Sequence, residues 1–87
     1  MEKLLVDFQN TGYEGVRLIC AGTLKEITGK GIKLKDGLHL LIWSEDQDDD
    51  GKADNLIVEA VVKFSDVDKC WVAQFDYAQL KHESDKI

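Results

Sequence analysis

The sequence has no proline and no hydrophobic run long enough to cross a membrane as a helix. Its first apolar run, residues 4–6, ends at Asp7 and is too short for a secretory signal, so we expect a cytoplasmic protein. Basic side chains are also scarce, with 11 Lys and Arg against 17 Asp and Glu, a net charge of −6. Because nucleic acids and anionic membranes are bound by basic faces, we expect neither as a partner.

Catalytic and redox motifs are missing too. The two cysteines, Cys20 and Cys70, lack CxxC spacing, and their apolar neighbours favour reduced thiols over a disulfide. The chain contains neither a phosphate-binding glycine loop nor a Gly-x-Ser-x-Gly elbow. His39 and His82 are far apart in sequence, and structural roles suit both better than catalysis. We therefore expect a protein that is not an enzyme.

Apolar and polar residues alternate with a period of two, which predicts β-strands. The alternation is clearest over residues 38–43, 55–64 and 70–77, and a shorter run covers residues 32–35. The side chains that share one face of these three longer strands are Leu38, Leu40, Ile42, Leu56, Val58, Ala60, Val62, Phe64, Trp71, Ala73, Phe75 and Tyr77. With 87 residues, the chain is long enough for one domain with a small core.

Short turns separate the predicted strands. Asp36-Gly37 predicts a two-residue hairpin between residues 32–35 and 38–43, and residues 66–69 form a short polar connection. The fold class is therefore mainly β, an antiparallel meander that forms an SH3-like barrel or a half-open barrel.

Two segments could be helical. Residues 23–26 have the Thr-x-x-Glu spacing of a capping box, but Gly29 follows closely, so continuation of a strand is favoured there. Residues 77–81 predict a short helical turn after Asp76. We expect one β domain over residues 1–82 and a polar tail over residues 83–87.

Almost all of the net charge lies in one segment, residues 45–54. Its acidic residues are Glu45, Asp46, Asp48, Asp49, Asp50 and Asp54. Lys52 is the only basic residue in the segment, so residues 45–54 carry −5 of the total charge of −6. Carboxylates this close repel one another, and a bound divalent cation would turn that repulsion into attraction.

The spacing of the segment is specific: Asp46, Asp48, Asp50 and Asp54 occupy loop positions 1, 3, 5 and 9, with Gly51 at position 6. Calcium takes six to eight oxygen ligands, and alternate residues of a curled loop can supply them. The segment is not an EF-hand, because Ile57 stands at position 12, where that motif has glutamate.

Residues 46–54, followed by an apolar strand, resemble the calcium loop of the FG-GAP repeats of integrin α-subunits. The resemblance covers nine residues and implies Asp46, Asp48, Asp50 and Asp54 as side-chain ligands, with Lys52 contributing its carbonyl oxygen. It does not imply a propeller. We expect weak calcium binding, with a Kd on the order of 10⁻⁴–10⁻³ M. The alternative is a solvated acidic hairpin that keeps the protein soluble.

Aromatic side chains on the strands of a small barrel more often belong to its core than to a binding groove, and the core is favoured here. Of Trp43, Trp71, Phe75 and Tyr77, Trp43 is the one that we expect to make an interaction surface if a ring points outward. It alternates with the inward-facing Leu40 and Ile42, so its ring points away from the core. Residues 38–43 and 56–62 are apolar on both faces, which is typical of a covered layer or a subunit contact. The sequence thus predicts a small binding module with a calcium loop, or else a calcium-independent interaction domain or homodimer.

Overall fold

The fold is built on one curled sheet, a half-barrel, with one helix. The computed structural model describes residues 1–47 and 49–86. In chain order its elements are β1 (Lys3–Leu5), β2 (Val16–Arg17), α1 (Ala21–Lys30), β3 (His39–Ser44), β4 (Leu56–Ser65), β5 (Cys70–Gln74) and β6 (Lys81–His82), with 3₁₀ turns at Tyr77–Gln79 and Glu83–Lys86. The strand order is β1-β3-β4-β5-β2, and β6 pairs with the start of β4. The predicted mainly-β fold is confirmed.

The middle of the sheet is the antiparallel meander β3-β4-β5. Residues 66–69 join β4 to β5 as a short turn, with Lys69 in the left-handed region at φ 60°. The 3₁₀ turn at Tyr77–Gln79 confirms the predicted helical turn over its first three residues, whereas Leu80 is extended and Lys81 lies in β6. The turn is capped by Asp76, whose carboxylate accepts a hydrogen bond from the Ala78 N–H at 2.9 Å. These are the parts of the fold in which strand alternation and local turn chemistry agree.

The core lies on one face of the meander and follows the predicted alternation. Its buried members from these strands are Leu40, Ile42, Val58, Ala60, Val62 and Ala73. Trp71 and Phe75 are half-buried and pack against it. Phe64 and Tyr77, predicted on the same face, are instead 40% and 64% exposed. Each remains in contact with a ring of the core rim, Phe64 with Trp71 and Tyr77 with Phe75.

The prediction of a strand at residues 23–26 is wrong, because these residues lie inside α1. The helix begins after Cys20, which provides no side-chain cap, and ends at Gly31 in the left-handed conformation, φ 66°. It lies in the connection between β1 and β3, which run parallel. Parallel neighbours need a long crossover, and a helix is its usual form.

Side chains of α1 complete the free edge of β1. The Thr23 hydroxyl donates to the Leu5 carbonyl at 2.6 Å, and Glu26 accepts from the Leu5 N–H at 3.3 Å. Lys30 donates to the Lys3 carbonyl at 2.7 Å and also pairs with Glu26 at 3.1 Å. These three helix residues are spaced by three and four, so they share one helix face. The residues of the apparent capping box thus bond a neighbouring strand instead of their own helix.

The predicted hairpin at Asp36-Gly37 is also wrong, because residues 32–35 do not form a strand. Both sides of β3 are already taken by β1 and β4, which leaves no edge for a further strand. The 36–37 turn instead bonds to β4. The Gly37 N–H donates to the Val62 carbonyl, and the Phe64 N–H donates to the Asp36 carboxylate, both at 2.9 Å.

Thr23→Val should destabilise the protein by about 1–2 kcal/mol, because it removes the hydroxyl that the Leu5 carbonyl accepts from at a buried position. The substitution keeps the shape and β-branching of the side chain. Thr28→Val is the matched control, since Thr28 is exposed on the same helix. Urea unfolding measures both variants. Equal losses of stability in the two would contradict the assigned role of Thr23.

Candidate functional site

The acidic segment lies at the end of the β3–β4 hairpin. Gln47 and Ala53 form an antiparallel bridge at the base of its turn, and the Asp54 N–H donates to the Asp46 carbonyl at 2.9 Å. Gly51 takes the left-handed conformation, φ 79°, which lets the chain reverse at the turn. We call residues 45–54 the acidic hairpin. The backbone bond places Asp46 and Asp54, the first and last predicted calcium ligands, opposite each other. We call this pair of positions the neck of the hairpin.

Donors from the end of the described chain hold both neck carboxylates. His82 Nε2 lies 2.7 Å from Asp46 Oδ2. Ser84 donates to Asp54 twice, with its hydroxyl at 2.7 Å and its N–H at 3.1 Å. Because an ionised carboxylate only accepts hydrogen bonds, the imidazole Nε2 carries the hydrogen in the contact with Asp46.

These contacts shift the titration of both carboxyl groups. The hydrogen bond from His82 holds the pKa of Asp46 below its ordinary value, with a smaller contribution from the Gln47 backbone. The hydroxyl and N–H of Ser84 lower the pKa of Asp54, while the nearby negative charge of Asp46 acts in the opposite direction. The neck thus holds two ionised groups close enough to repel each other.

The segment that supplies these donors, residues 81–84, is called the C-terminal clasp here. Its strand β6 pairs with the start of β4. Glu83 bonds Asn55 twice, donating its N–H to the Asn55 carbonyl at 2.8 Å and accepting from the Asn55 side chain at 3.2 Å. The sequence indicates no partner for His82, and it predicts a polar tail over residues 83–87, of which Ile87 lies outside the described residues. No local pattern marks these contacts, because Asp46 and His82 are 36 positions apart.

The predicted calcium ligands are only partly brought together. Asp46 and Asp54 are neighbours, while Asp50 and Lys52 lie exposed on the turn beyond the Gln47–Ala53 bridge. Asp48 lies outside the described residues. Within residues 1–47 and 49–86, no group of three or more His, Cys, Asp or Glu side chains is arranged to hold a metal ion. Calcium binding stays a prediction.

Trp43 borders a surface groove at the base of the acidic hairpin. The groove has a volume of about 600 Å³ and is lined by Trp43, Glu45, Asp46, Gln47, Ala53 and Asn55. The indole is half-buried, in register with Ile57 on β4. Its backbone is fixed by β1, since the Val6 N–H donates to the Trp43 carbonyl at 2.9 Å. We call this recess the Trp43 groove.

A second polar cluster surrounds Asp68, whose side chain is only 2% exposed. Its carboxylate accepts from the Tyr13 N–H at 3.0 Å, from Arg17 at 3.3 Å and from the Ser65 hydroxyl at 3.4 Å. Tyr13 lies in the 10–15 loop, Arg17 on β2 and Ser65 at the end of β4, so the cluster ties the 10–15 loop to the β4–β5 turn. Burial, together with the charge of Asp68, raises the pKa of the neighbouring Cys70 thiol, which disfavours the reactive thiolate.

The remaining candidate residues stand apart from the hairpin. Cys20 and Cys70 are both free and half-buried. His39 is exposed at the start of β3, where it lines an open groove with Glu2 and Lys30. No helix in the described part of the chain has the length and apolar character needed to span a bilayer.

No protein family, no curated protein and no solved structure matches this chain. Function is therefore inferred from the hairpin, the clasp and the groove.

Acid should release the clasp from the hairpin neck. A carboxyl group whose pKa is lowered in the folded state stabilises the fold fully at pH values above its ordinary pKa, here 3.8. That stabilisation is lost as the pH falls through the lower, folded-state pKa. In Ser84→Ala, the pKa of Asp54 should move up toward 3.8, because the hydroxyl donor is gone and the N–H remains. NMR titration of the side-chain carboxyl carbons measures the shift. Asp46 is the internal control and should stay low; an unchanged Asp54 midpoint contradicts the assignment.

Proposed function

We propose that the protein is a small non-enzymatic binding module and that its ligand is positively charged. The observation that carries this proposal is the acidic hairpin, which holds −5 of the net −6 at one end of the sheet. Two of its carboxylates, Asp46 and Asp54, are kept ionised side by side at the neck. A cation bound among these groups offsets their mutual repulsion.

The first candidate ligand is a divalent cation such as calcium. Support comes from the ligand spacing of Asp46, Asp48, Asp50 and Asp54, from the turn at Gly51 and from the short distance between the two neck positions. The clasp would retain Asp54 through Ser84, while His82 would give up its bond to Asp46 or share that carboxylate with the ion. Weak affinity means that the site fills where calcium reaches millimolar concentration.

Thermal unfolding in calcium and in chelator tests this candidate. At ten times the Kd, calcium should raise the melting temperature by roughly 6–11 °C for a domain of this size. Asp48→Asn should abolish most of the rise. Asp66→Asn is the matched control, because Asp66 is an exposed aspartate in the β4–β5 turn. Coincident melting curves for the wild type in calcium and in chelator would overturn the calcium proposal.

A second candidate is a calcium-independent interaction domain that uses Trp43. The specific support is the Trp43 groove, an open recess beside a half-buried indole. Large aromatic side chains at such positions are common anchors of protein interfaces. The partner could be a different protein or a second copy of this chain. A symmetric contact through this face would bring two acidic hairpins of −5 together, which disfavours the second copy.

Sedimentation velocity in chelator separates these two partners. We expect a single species of one chain, 9.8 kDa, at about 100 µM, because like-charged hairpins oppose self-association. A dimer that Trp43→Leu converts to a monomer would establish a homodimer instead. A dimer that this variant leaves intact would place self-association on another face.

A further inference from the structure

The face of the sheet opposite the core carries a second row of apolar side chains. Leu40 and Ile42 point into the core, so Leu41 and Trp43 point to the other face. In register with them on β1 are Lys3 and Leu5, and on β4 Glu59 and Ile57. We call Leu5, Leu41, Trp43 and Ile57 the outer strip. Ile57 is buried and the other three are half-buried, so the strip is in part open to solvent.

Acidic side chains border this strip. At one end, the Trp43 groove is lined by Glu45 and Asp46, and none of its lining residues is a lysine or arginine. Beside Leu41 a second recess of about 380 Å³ contains Glu59 and Asp76, together with Lys81. The two recesses flank neighbouring outer-facing positions of β3, which lie about 7 Å apart along a strand. An apolar floor with carboxylates at both ends is complementary to a cationic ligand that also has apolar surface.

The Trp43 indole favours an organic cation over a metal ion as the ligand of the groove. Calcium takes oxygen ligands and makes no use of Trp43. An organic cation over the ring face gains attraction from the π-system, and guanidinium stacks on indole while it forks to carboxylates. The groove is open along the surface, and its 600 Å³ exceeds the volume of one side chain, so neighbouring residues of an extended segment fit with it.

We propose that the Trp43 groove binds a basic segment of a partner protein, with an arginine guanidinium against the Trp43 indole and paired with Glu45 and with Asp46, whose Oδ2 also contacts His82. This inference rests on the second candidate function and names its partner by charge. A second basic residue, two positions along the same extended segment, reaches the recess beside Glu59. Nucleic acid does not compete for this face, because the hairpin repels phosphate.

The test uses the whole protein in chelator and an acetylated, amidated peptide, Gly-Ala-Arg-Ala-Arg-Ala-Gly, at low ionic strength. We expect binding that shifts the Trp43 indole N–H resonance and weakens as salt is added. A peptide with citrulline in place of both arginines keeps their length and planarity without the charge, and it should not bind.

Variants locate the contact. Glu45→Gln and Trp43→Leu should each weaken peptide binding by about two- to fivefold. Asp49→Asn is the matched control, because it removes the same charge from the same hairpin at an exposed residue outside the groove, so its effect should be smaller. Glu45 is exposed, so Glu45→Gln keeps the test decisive if Trp43→Leu fails to fold.

Three results would overturn the inference: an equal loss in Asp49→Asn and Glu45→Gln, equal binding of the citrulline peptide, or no binding of the arginine peptide. The calcium result is independent of these outcomes. A calcium-dependent rise in melting temperature without peptide binding refutes the groove proposal and supports the metal-binding one. Peptide binding in chelator, without any effect of calcium on the melting temperature, supports the groove proposal and refutes the metal-binding one.

Discussion

The hydrogen bonds between α1 and the edge of β1 hold together the half of the sheet that carries the site. β1 is only three residues long, and its outer backbone groups face a helix rather than a strand. Thr23, Glu26 and Lys30 supply the missing partners from one helix face. With that edge satisfied, β1 stays in register with β3 and bonds the backbone of Trp43 through Val6. The position of the Trp43 indole thus depends on polar contacts made by α1, a helix that is not adjacent to Trp43 in the sequence.

The acidic hairpin shows how a concentrated charge is kept in a defined shape. Its neck carboxylates would repel each other, yet each is engaged by a donor from the C-terminal clasp. The first half of the clasp is strand β6 of the sheet, and Glu83 bonds Asn55 beside it, so the fold positions these donors. The proposed metal binding and the proposed peptide binding would both depend on this concentrated negative charge. They would differ in whether the carboxylates of the hairpin or the indole at its base make the decisive contact.

Sequence reasoning succeeds here where the determinants are local and fails where they are not. Strand alternation locates β3, β4 and β5 and most of their core positions, although Phe64 and Tyr77 are exposed and Ile57 on the opposite face is buried. It misses α1 because Gly22 and Gly29 weaken the helical signal and because its stabilising partner, β1, is far away in sequence. Thr23 and Glu26 have the spacing of a capping box, but both side chains bond the backbone of β1 instead. The bond between Asp46 and His82 leaves no local trace at all, so the site could be predicted only up to the hairpin.

The two borders of the sheet have a consequence for behaviour at high concentration. On one side β1 has its backbone groups occupied by helix side chains, and on the other β2 contributes only two residues. Neither border of the β1-β3-β4-β5-β2 path offers a long row of open backbone groups to a strand from another molecule. Addition of a strand from another folded molecule is therefore disfavoured at these two borders.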